Sequence, residues 1–169
     1  MSSVPRFWEK VYQAVRDKIE RSSPMRQRLF RHALAVGRRY NVECLRRAKR
    51  PSLALALEYK FIDRTILRLV RKQIGLEQPN IFPTAGARVS PKVEEFVHSV
   101  GIDMVVGYGL TESLATVSCD RRGQVCTVGS VGRPISSIKV KINDDGEVML
   151  KGPTITKGYY KRDAANAQA

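Results

Sequence analysis

The sequence of 169 residues predicts an α/β fold: a helical N-terminal segment, a partial parallel sheet with flanking helices, and then a mostly antiparallel β region. Three observations support this class. Apolar residues recur with a helical period between residues 5 and 75. Two strand–loop units follow between residues 80 and 110, and such units in succession indicate an α/β sheet. From residue 127 the apolar residues alternate with a period of two, which is typical of strands. The chain is therefore divided into segments 1–78, 79–126 and 127–169.

Three helices are predicted in the first segment, with local signals at their ends. Ser22-Ser23-Pro24 ends the first helix and begins the second, because serine is a preferred N-cap and proline fits the first turn. Pro51-Ser52 begins the third helix, and Gly75 ends it, as glycine commonly does. The predicted inward faces are, helix by helix, Trp8, Val11, Tyr12, Val15 and Ile19; Met25, Leu29, Ala33 and Val36; and Tyr59, Ile62, Ile66, Leu69, Val70 and Ile74.

Positive charge is concentrated in the same helical segment. The chain has a net charge of +14, and residues 1–75 hold 19 Lys/Arg against 6 Asp/Glu, so they carry nearly all of the excess. A basic surface favours anionic partners, such as nucleic acid, acidic lipid or phosphate-bearing ligands, and charge alone does not distinguish them. The cations of the third helix that are predicted to lie opposite its apolar face are Arg64, Arg68, Arg71 and Lys72.

The second segment contains two units in which a short apolar strand runs into a glycine-containing loop. The first unit is NIFPTAGARVS, at residues 80–90, and the second is DMVVGYG, at residues 103–109. Ser90-Pro91 begins a helix that continues to about Val100. In sheets of this kind, ligands bind at the carboxyl ends of the strands. The residues of the helix predicted to face inward are Val93, Phe96 and Val97.

The third segment is predicted to be a β region. SIKVKI, at residues 137–142, alternates apolar and polar residues, and EVMLKG, at residues 147–152, returns in the same way. Between them, NDDG is a strong hairpin-turn sequence.

The chain has three cysteines, Cys44, Cys119 and Cys126, and no two of them form a CxxC motif. A disulfide framework or a zinc site is therefore not expected, and a reducing compartment fits best. No apolar run approaches the ~18 residues of a membrane span, and the N-terminus has no apolar signal core. A cytoplasmic location is expected.

GYGLTES, at residues 107–113, has the residue types of a ligand-binding loop. Glycines let a backbone approach a ligand closely, and Tyr108 offers a flat face for stacking. Thr111 beside Glu112 provides a hydroxyl and a carboxylate that can hold a phosphate and its metal together. On these seven residues alone, a strand end followed by a tight turn is the simpler interpretation.

Five pieces of the chain occur in the order typical of one enzyme family: VPRFWEKVY, TAGARVS, GYGLTES, GSVGRPI and GEVMLKGPTITKGYYK. Together they resemble the AMP-forming acyl-CoA synthetases, which are adenylate-forming ligases. The resemblance is to the long-chain fatty-acid branch in particular, of which VPRxxEK followed by a basic helical stretch is typical. It covers about residues 4–165. It implies a parent enzyme that activates long-chain fatty acids with ATP to acyl-AMP and transfers the acyl group to coenzyme A.

The resemblance implies a role for each residue of the GYGLTES stretch. Tyr108 would stack on the adenine ring, and Gly107 and Gly109 would let the backbone lie close to the acyl-adenylate. Thr111 would hydrogen-bond phosphate oxygens. Glu112 would ligate the Mg²⁺ that bridges those phosphates, because ATP requires a hard cation with oxygen ligands. Thr111 and Glu112 are thereby the implied catalytic residues, and Glu112 is the implied metal ligand.

The TAGAR stretch resembles the family's Gly-Gly-Ala loop, which forms another wall of the adenine pocket. Gly86 and Ala87 match that loop and are the implied cofactor-binding residues there. Ala85 replaces its first glycine. Arg88 stands where a small residue is usual, so both a phosphate contact and a solvated surface position are open for it.

Three parts of the family pattern have no match in this sequence. They are the glycine-rich phosphate loop that ends in Pro-Lys-Gly, the Thr-Gly-Asp segment that holds the ribose, and the C-terminal domain with its catalytic lysine. The resemblance therefore implies an internal fragment of the adenylate-forming domain, and we expect the fragment alone to be inactive. ATP, Mg²⁺ and coenzyme A are the implied ligands of the parent enzyme.

Two other interpretations stay open. The first is a basic helical module that binds anionic lipid or nucleic acid without catalysis, as the pairs Arg38-Arg39 and Arg46-Arg47 suggest. Nucleic acid is not expected, because few aromatic residues interleave with the basic ones and no nucleic-acid motif is present. Peripheral contact with anionic lipid at the inner face of a membrane remains compatible with the charge. The second is a structural fragment without a ligand.

Hydrolase chemistry is not expected. Ser113 lacks a plausible base, and His98 lies on an amphipathic helix, where we expect it to be at the surface or to have its hydrogen bonds satisfied.

Overall fold

The computed structural model describes residues 2–78, 80–121 and 124–167, and it has the predicted combination of helices and sheet. The helices are α1 (Pro5–Glu20), α2 (Pro24–Gly37), α3 (Leu53–Ile62), α4 (Arg68–Gln73), α5 (Pro91–Ser99) and α6 (Asp163–Asn166). The strands are β1 (Ile81–Thr84), β2 (Asp103–Leu110), β3 (Ala115–Cys119), β4 (Arg133–Pro134), β5 (Lys139–Ile142) and β6 (Val148–Lys151).

Proline and serine begin the helices where the sequence predicts. Pro24 and Pro91 are the first residues of α2 and α5. The N–H of a first helical residue has no acceptor within the helix, so proline, which lacks this N–H, costs no hydrogen bond there. Before α3, the Ser52 hydroxyl accepts a hydrogen bond from the Leu55 N–H at 3.2 Å, so it satisfies one of the free donors at the helix start.

α2 and α3 each continue into a π-helical turn. After α2 the turn is Arg38–Cys44, followed by a 3₁₀ turn at Leu45–Arg47. After α3 the turn is Asp63–Leu67, which joins α3 and α4 into one continuous helix. A π turn closes its hydrogen bonds between residues i and i+5, so it rotates the residues that follow it relative to a regular α-helix.

Because of this rotation, part of the predicted inward face of the third helix is wrong. Leu69, predicted to face inward, is exposed, whereas Arg71, predicted to face outward, lies inward. The Arg71 guanidinium donates to Asp63 Oδ1 at 2.6 Å and to the Val100 carbonyl at 2.8 Å, so its charge and its donors are satisfied. The cations of this helix that are exposed, as predicted, are Arg64, Arg68 and Lys72.

The buried face of α2 is also rotated from the predicted one. Met25 and Leu29 are exposed. The buried residues are Phe30, Ala33, Val36 and Gly37. Gly37 lies directly against the Ser99 carbonyl of α5, where a Cβ would clash. The close approach that this glycine permits turns the Met25 and Leu29 side of α2 toward solvent.

The sheet has the order β1-β2-β3-β4. β1 and β2 are parallel, with Ile81 opposite Asp103, while β2 with β3 and β3 with β4 are antiparallel. β5 and β6 form a separate antiparallel hairpin, closed by a hydrogen bond from the Asn143 N–H to the Glu147 carbonyl. The parallel strands predicted within residues 80–110 and the antiparallel region predicted after residue 127 are thus confirmed.

The stretch from Gly107 to Leu110, predicted as a loop, is instead the second half of β2. It is a strand because it pairs with β3, with a bulge between Tyr108 and Gly109. The connection that follows is a 3₁₀ turn at Thr111–Ser113. The Ser113 hydroxyl fixes this turn, since it accepts the Leu110 N–H at 3.0 Å and donates to the Leu110 carbonyl at 2.9 Å.

The main core lies between the sheet and helices α1 and α5. Trp8, Val97 and Met104 are completely buried in it. The indole N–H of Trp8 lies 2.8 Å from both the Ser3 and Thr84 hydroxyls, to which it donates. This contact joins α1 to the end of β1 and so to the edge of the sheet where ligands are expected.

We expect Met104→Ala to lower the free energy of unfolding by about 2–5 kcal/mol, because it removes a buried side chain and leaves a cavity. Met25→Ala is the matched control: Met25 is 71% exposed and Met104 is 0% exposed. Urea denaturation of both variants measures the difference. Equal losses would contradict the assignment of Met104 to the core.

Candidate functional site

A cavity of about 330 Å³ lies between the loop after β1 and the second half of β2. The predicted site residues that line it are Gly86, Ala87, Gly107, Tyr108 and Gly109. They meet because β1 and β2 are parallel neighbours, so their carboxyl ends lie at the same edge of the sheet. Residues 129–131 form another part of the cavity wall.

The loop after β1 leaves room for a ligand. Gly86 has φ of +93°, a backbone conformation that strongly favours glycine, and no atom lies within 4 Å of the position a Cβ would take. A flat group can therefore approach the backbone here. Arg88 is exposed and lines the same cavity, which places a cation beside Gly86 and Ala87.

A second cavity, also of about 330 Å³, adjoins the first across residues 107–110. Thr111 lines it together with Ala85 and Thr116. Glu112 is absent from the described lining of both cavities. The structure thus brings the predicted residues together with the exception of Glu112, which the 3₁₀ turn directs elsewhere.

The carboxylate of Glu112 contacts the segment that follows the β5–β6 hairpin. The Tyr159 hydroxyl donates to Glu112 Oε1 at 2.6 Å, and the Thr156 N–H donates to the Glu112 carbonyl at 2.7 Å. The hydrogen bond from Tyr159 lowers the pKa of Glu112, and it raises the pKa of Tyr159. Glu112 is therefore an ionised, solvent-accessible carboxylate at neutral pH.

Such a carboxylate fits one ligand position of Mg²⁺, which commonly takes one or two protein carboxylates and completes its shell with phosphates and water. Within residues 2–78, 80–121 and 124–167, no group of three or more His, Cys, Asp or Glu could hold a metal ion on its own. A metal at Glu112 would consequently depend on a ligand that brings its own oxygen atoms.

A buried ionic cluster supports the wall of the first cavity. Arg46 Nη2 donates to Asp120 Oδ2 at 2.6 Å and to Glu94 Oε1 at 3.3 Å. The other oxygen of Glu94, Oε2, accepts the Gly129 N–H at 2.8 Å. Burial raises the pKa of Glu94, while the Gly129 bond and the charge of Arg46 act in the opposite direction. The cluster thereby holds the 129–131 loop against α5.

His98 lies beside this cluster, one helical turn after Glu94. It is 4% exposed, and its Nε2 is 3.8 Å from Glu94 Oε1 and has no hydrogen-bond partner among the described residues. Burial and the positive charge of Arg46 lower the pKa of His98 to about 3, against a weaker contribution from the Ile102 backbone. The His98 imidazole is therefore uncharged at neutral pH. The expectation that this histidine lies at the surface or has its hydrogen bonds satisfied is wrong.

The sequence interpretation missed the cluster of Arg46, Glu94 and Asp120. In the sequence, Arg46 is one of the paired arginines that suggest a basic binding module, and no partner is predicted for it. One local signal exists, namely that Glu94 and His98 are one turn apart and close to the apolar positions Val93 and Val97. The partner of Arg46 is 74 residues away in the sequence, so no local pattern predicts the pair.

Comparisons with known proteins agree with this architecture. A family model described as "AMP-binding enzyme" matches residues 1–160. The long-chain-fatty-acid–CoA ligase FadD15 of Mycobacterium bovis is 27% identical over 167 residues, which cover 99% of this chain and 27% of the relative. The long-chain-fatty-acid–CoA ligase ACSBG2 of Rattus norvegicus is 28% identical over 169 residues, covering 98% and 25%. The chain thus spans about a quarter of the length of these curated relatives.

A solved structure shares the fold. It is a double mutant of o-succinylbenzoate CoA synthetase from Bacillus subtilis, bound with a product analogue. The TM-score is 0.51 and the identity 22%, and the superposition covers 71% of this chain and 29% of that chain.

We expect Arg46→Met to lower the free energy of unfolding by about 3–5 kcal/mol, because it leaves two buried carboxylates without their cation. Arg47→Met is the matched control, since Arg47 is exposed and lies next to Arg46 in the chain. Chemical denaturation measures both. A loss in R46M no larger than that in R47M would show that the cluster does not hold the structure together.

We expect stability to fall as the pH falls from about 6.5, the ordinary pKa of histidine, toward about 3, the pKa of folded His98. In that range the unfolded chain binds a proton that the folded chain does not, so His98 contributes a loss of up to about 1.4 kcal/mol per pH unit. His98→Gln removes this contribution.

Denaturation of H98Q, the parent chain and the control H32Q at pH 7 and pH 5 tests this expectation. His32 is an exposed histidine of α2, so H32Q controls for the replacement of a histidine by glutamine as such. An H98Q variant that loses as much stability as the parent between these pH values would overturn it.

Proposed function

The chain belongs to the AMP-binding enzyme family, and we propose that it forms one wall of the adenylate site of a ligase that activates long-chain fatty acids. The observation that carries the proposal is the convergence of Gly86, Ala87 and Tyr108 on one cavity at the carboxyl edge of β1 and β2. The names of the relatives, long-chain-fatty-acid–CoA ligase, support the choice of substrate class.

In the proposed site, the first cavity receives the adenine. The Tyr108 ring supplies a flat apolar surface, and base–aromatic stacking of this kind is insensitive to the details of hydrogen bonding. Gly86 and Ala87 supply the facing wall, because the open space beside Gly86 lets a planar ring approach the backbone. Gly107 and Gly109 line the same cavity, and their lack of side chains lets the acyl-adenylate lie close to the backbone of β2.

The second cavity receives the phosphates. The Thr111 hydroxyl donates to a phosphate oxygen, and Glu112 is the protein ligand of Mg²⁺. The metal, when bound, offsets the negative charge of the phosphates. For Glu112 to take this role its carboxylate must turn toward the cavity, which requires the hydrogen bond from Tyr159 to open.

The proposed reaction of the parent enzyme has two steps. A carboxylate oxygen of the fatty acid attacks the α-phosphorus of ATP, and pyrophosphate leaves, which gives acyl-AMP. The thiol of coenzyme A then attacks the acyl carbonyl, gives up its proton, and displaces AMP to form the thioester. This chain's residues position the nucleotide and stabilise its charge, and none of them acts as a covalent nucleophile. We also propose a cytoplasmic location, which the free thiols of Cys44, Cys119 and Cys126 support.

We expect the 169-residue chain to bind Mg-ATP no more tightly than about 1 mM, or roughly −4 kcal/mol, because it offers one wall of the site. Tyr108→Ala is expected to weaken that binding by about fivefold or more, since stacking on an aromatic ring contributes ~1–3 kcal/mol. Nuclear magnetic resonance titration with Mg-ATP measures both affinities. Tyr160→Ala is the matched control, because Tyr160 is 86% exposed and lies outside both cavities.

Equal affinities of Y108A, Y160A and the parent chain would refute the assignment of the adenine to the Tyr108 cavity. Pyrophosphate release with ATP, Mg²⁺ and a long-chain fatty acid is the second measurement. We expect none, because loss of a single preorganised contact commonly lowers the rate ~100- to 1000-fold and the sequence lacks the family's phosphate loop. Turnover that disappears in Glu112→Ala would show the chain to be a working enzyme.

A further inference from the structure

Arg88 carries a charge that no other side chain in the described part of the chain neutralises. It is exposed and lines the first cavity, and it makes no ion pair and no hydrogen bond with any described residue. The acidic residue in the described lining of this cavity is Glu94, whose carboxylate already binds Arg46 and the Gly129 N–H. The Arg88 guanidinium is therefore available for a ligand.

The loop that carries Arg88 is fixed on both sides. Before it, Thr84 is 1% exposed, and its hydroxyl accepts a hydrogen bond from the Trp8 indole at 2.8 Å. After it, Val89 is 6% exposed and belongs to the main core, and Pro91 begins α5. The backbone at Arg88 is thus already ordered, so a ligand has to order only the side chain, which lowers the entropic cost of binding.

Arg88 lies on the base side of the proposed adenylate site. It lines the first cavity together with Tyr108, and it directly follows Gly86 and Ala87, which form the wall facing Tyr108. It is absent from the described lining of the second cavity, where Thr111 lies and where the phosphates are proposed to bind. One cavity therefore has an aromatic ring on strand β2 and a guanidinium on the loop after β1.

A guanidinium in this position suits the face of a nucleobase. The group is planar and delocalised, and it stacks on aromatic surfaces with a cation–π attraction. Proteins that bind unpaired bases hold them against aromatic side chains or against the plane of an arginine. A purine has two such faces, and Tyr108 covers one of them.

We propose that Arg88 is a base-stacking residue whose guanidinium covers the face of the adenine opposite Tyr108. This inference rests on the proposed function, because it requires the first cavity to receive the adenine. It adds a binding residue that the family resemblance does not imply, since a small residue is usual at this position. Arg88 thus contacts the nucleotide through the base and not through a phosphate.

Titration of the 169-residue chain with adenosine, AMP and Mg-ATP, followed by nuclear magnetic resonance, tests the proposal. Arg88→Met is expected to weaken the binding of each compound by a similar factor of about threefold or more, because all three contain the base. A loss that is absent for adenosine and grows with the number of phosphates would overturn the proposal in favour of a phosphate contact.

Two further replacements separate the plane of the guanidinium from its charge. Arg88→Tyr keeps a flat face without a charge, and it is expected to bind adenosine within about twofold of the parent chain. Arg88→Lys keeps the charge as a compact ammonium without the plane, and it is expected to bind adenosine more weakly than R88Y does. The reverse order would overturn the proposal.

Arg64→Met is the matched control, because Arg64 is an exposed arginine outside both cavities, and its replacement is expected to leave all three affinities unchanged. Circular dichroism confirms that every variant is folded.

A direct readout of the contact is the nuclear Overhauser effect between adenosine and the protein. The adenine protons H2 and H8 are expected to show cross-peaks both to the Tyr108 ring and to the δ-methylene of Arg88. Cross-peaks to Tyr108 without any to Arg88 would overturn the proposal.

The outcomes distinguish this inference from the function on which it rests. Weaker adenosine binding in Y108A with unchanged binding in R88M would refute the role of Arg88 and leave the adenine cavity in place. Adenosine binding that neither Y108A nor R88M alters, or no binding by the parent chain, would overturn the cavity assignment and the role of Arg88 together.

Discussion

The buried contact of Arg46 with Glu94 and Asp120 is the constraint on which the arrangement of the candidate site depends. It joins the turn after α2, helix α5 and the end of β3, which are far apart in the sequence. Glu94 extends the contact to the Gly129 N–H, and residues 129–131 line the Tyr108 cavity. A buried ion pair is weak evidence for stability in itself, because desolvation offsets much of its attraction. The contact matters here because it fixes positions: the Arg46 guanidinium holds the turn after α2, helix α5 and the end of β3 together around the cavity.

The two π-helical turns likewise bring charged side chains to their partners. The first, Arg38–Cys44, carries the chain into the 3₁₀ turn from which Arg46 enters the cluster. The second, Asp63–Leu67, rotates α4 so that Arg71 reaches Asp63 and the Val100 carbonyl. The same rotation turns Leu69 outward. One irregularity therefore both satisfies an inward cation and exposes the Leu69 side chain.

The parts of the structure that follow local patterns were predictable from the sequence. The strands β1 and β2, the NDDG hairpin and the helix after Ser90-Pro91 depend on neighbouring residues. Parallel pairing of β1 with β2 follows from the order strand, helix, strand, and it brings Gly86 and Tyr108 together. The burial of Arg46 was not predictable, because its partners lie 48 and 74 residues away. The strand character of residues 107–110 also depends on a partner, β3, whose pairing no local signal specifies.

The contact between Glu112 and Tyr159 joins the β-rich third segment to the candidate site. One hydrogen bond lowers the pKa of Glu112 and raises that of Tyr159, so the proton stays on the phenol and the carboxylate keeps its charge. A hard cation requires this ionised form of the carboxylate. The donor can be exchanged for a metal without a change in the protonation of Glu112, because Tyr159 retains its own proton when the bond opens. The segment around Tyr159 thus holds the carboxylate in a state suited to a ligand, while both groups stay accessible to solvent.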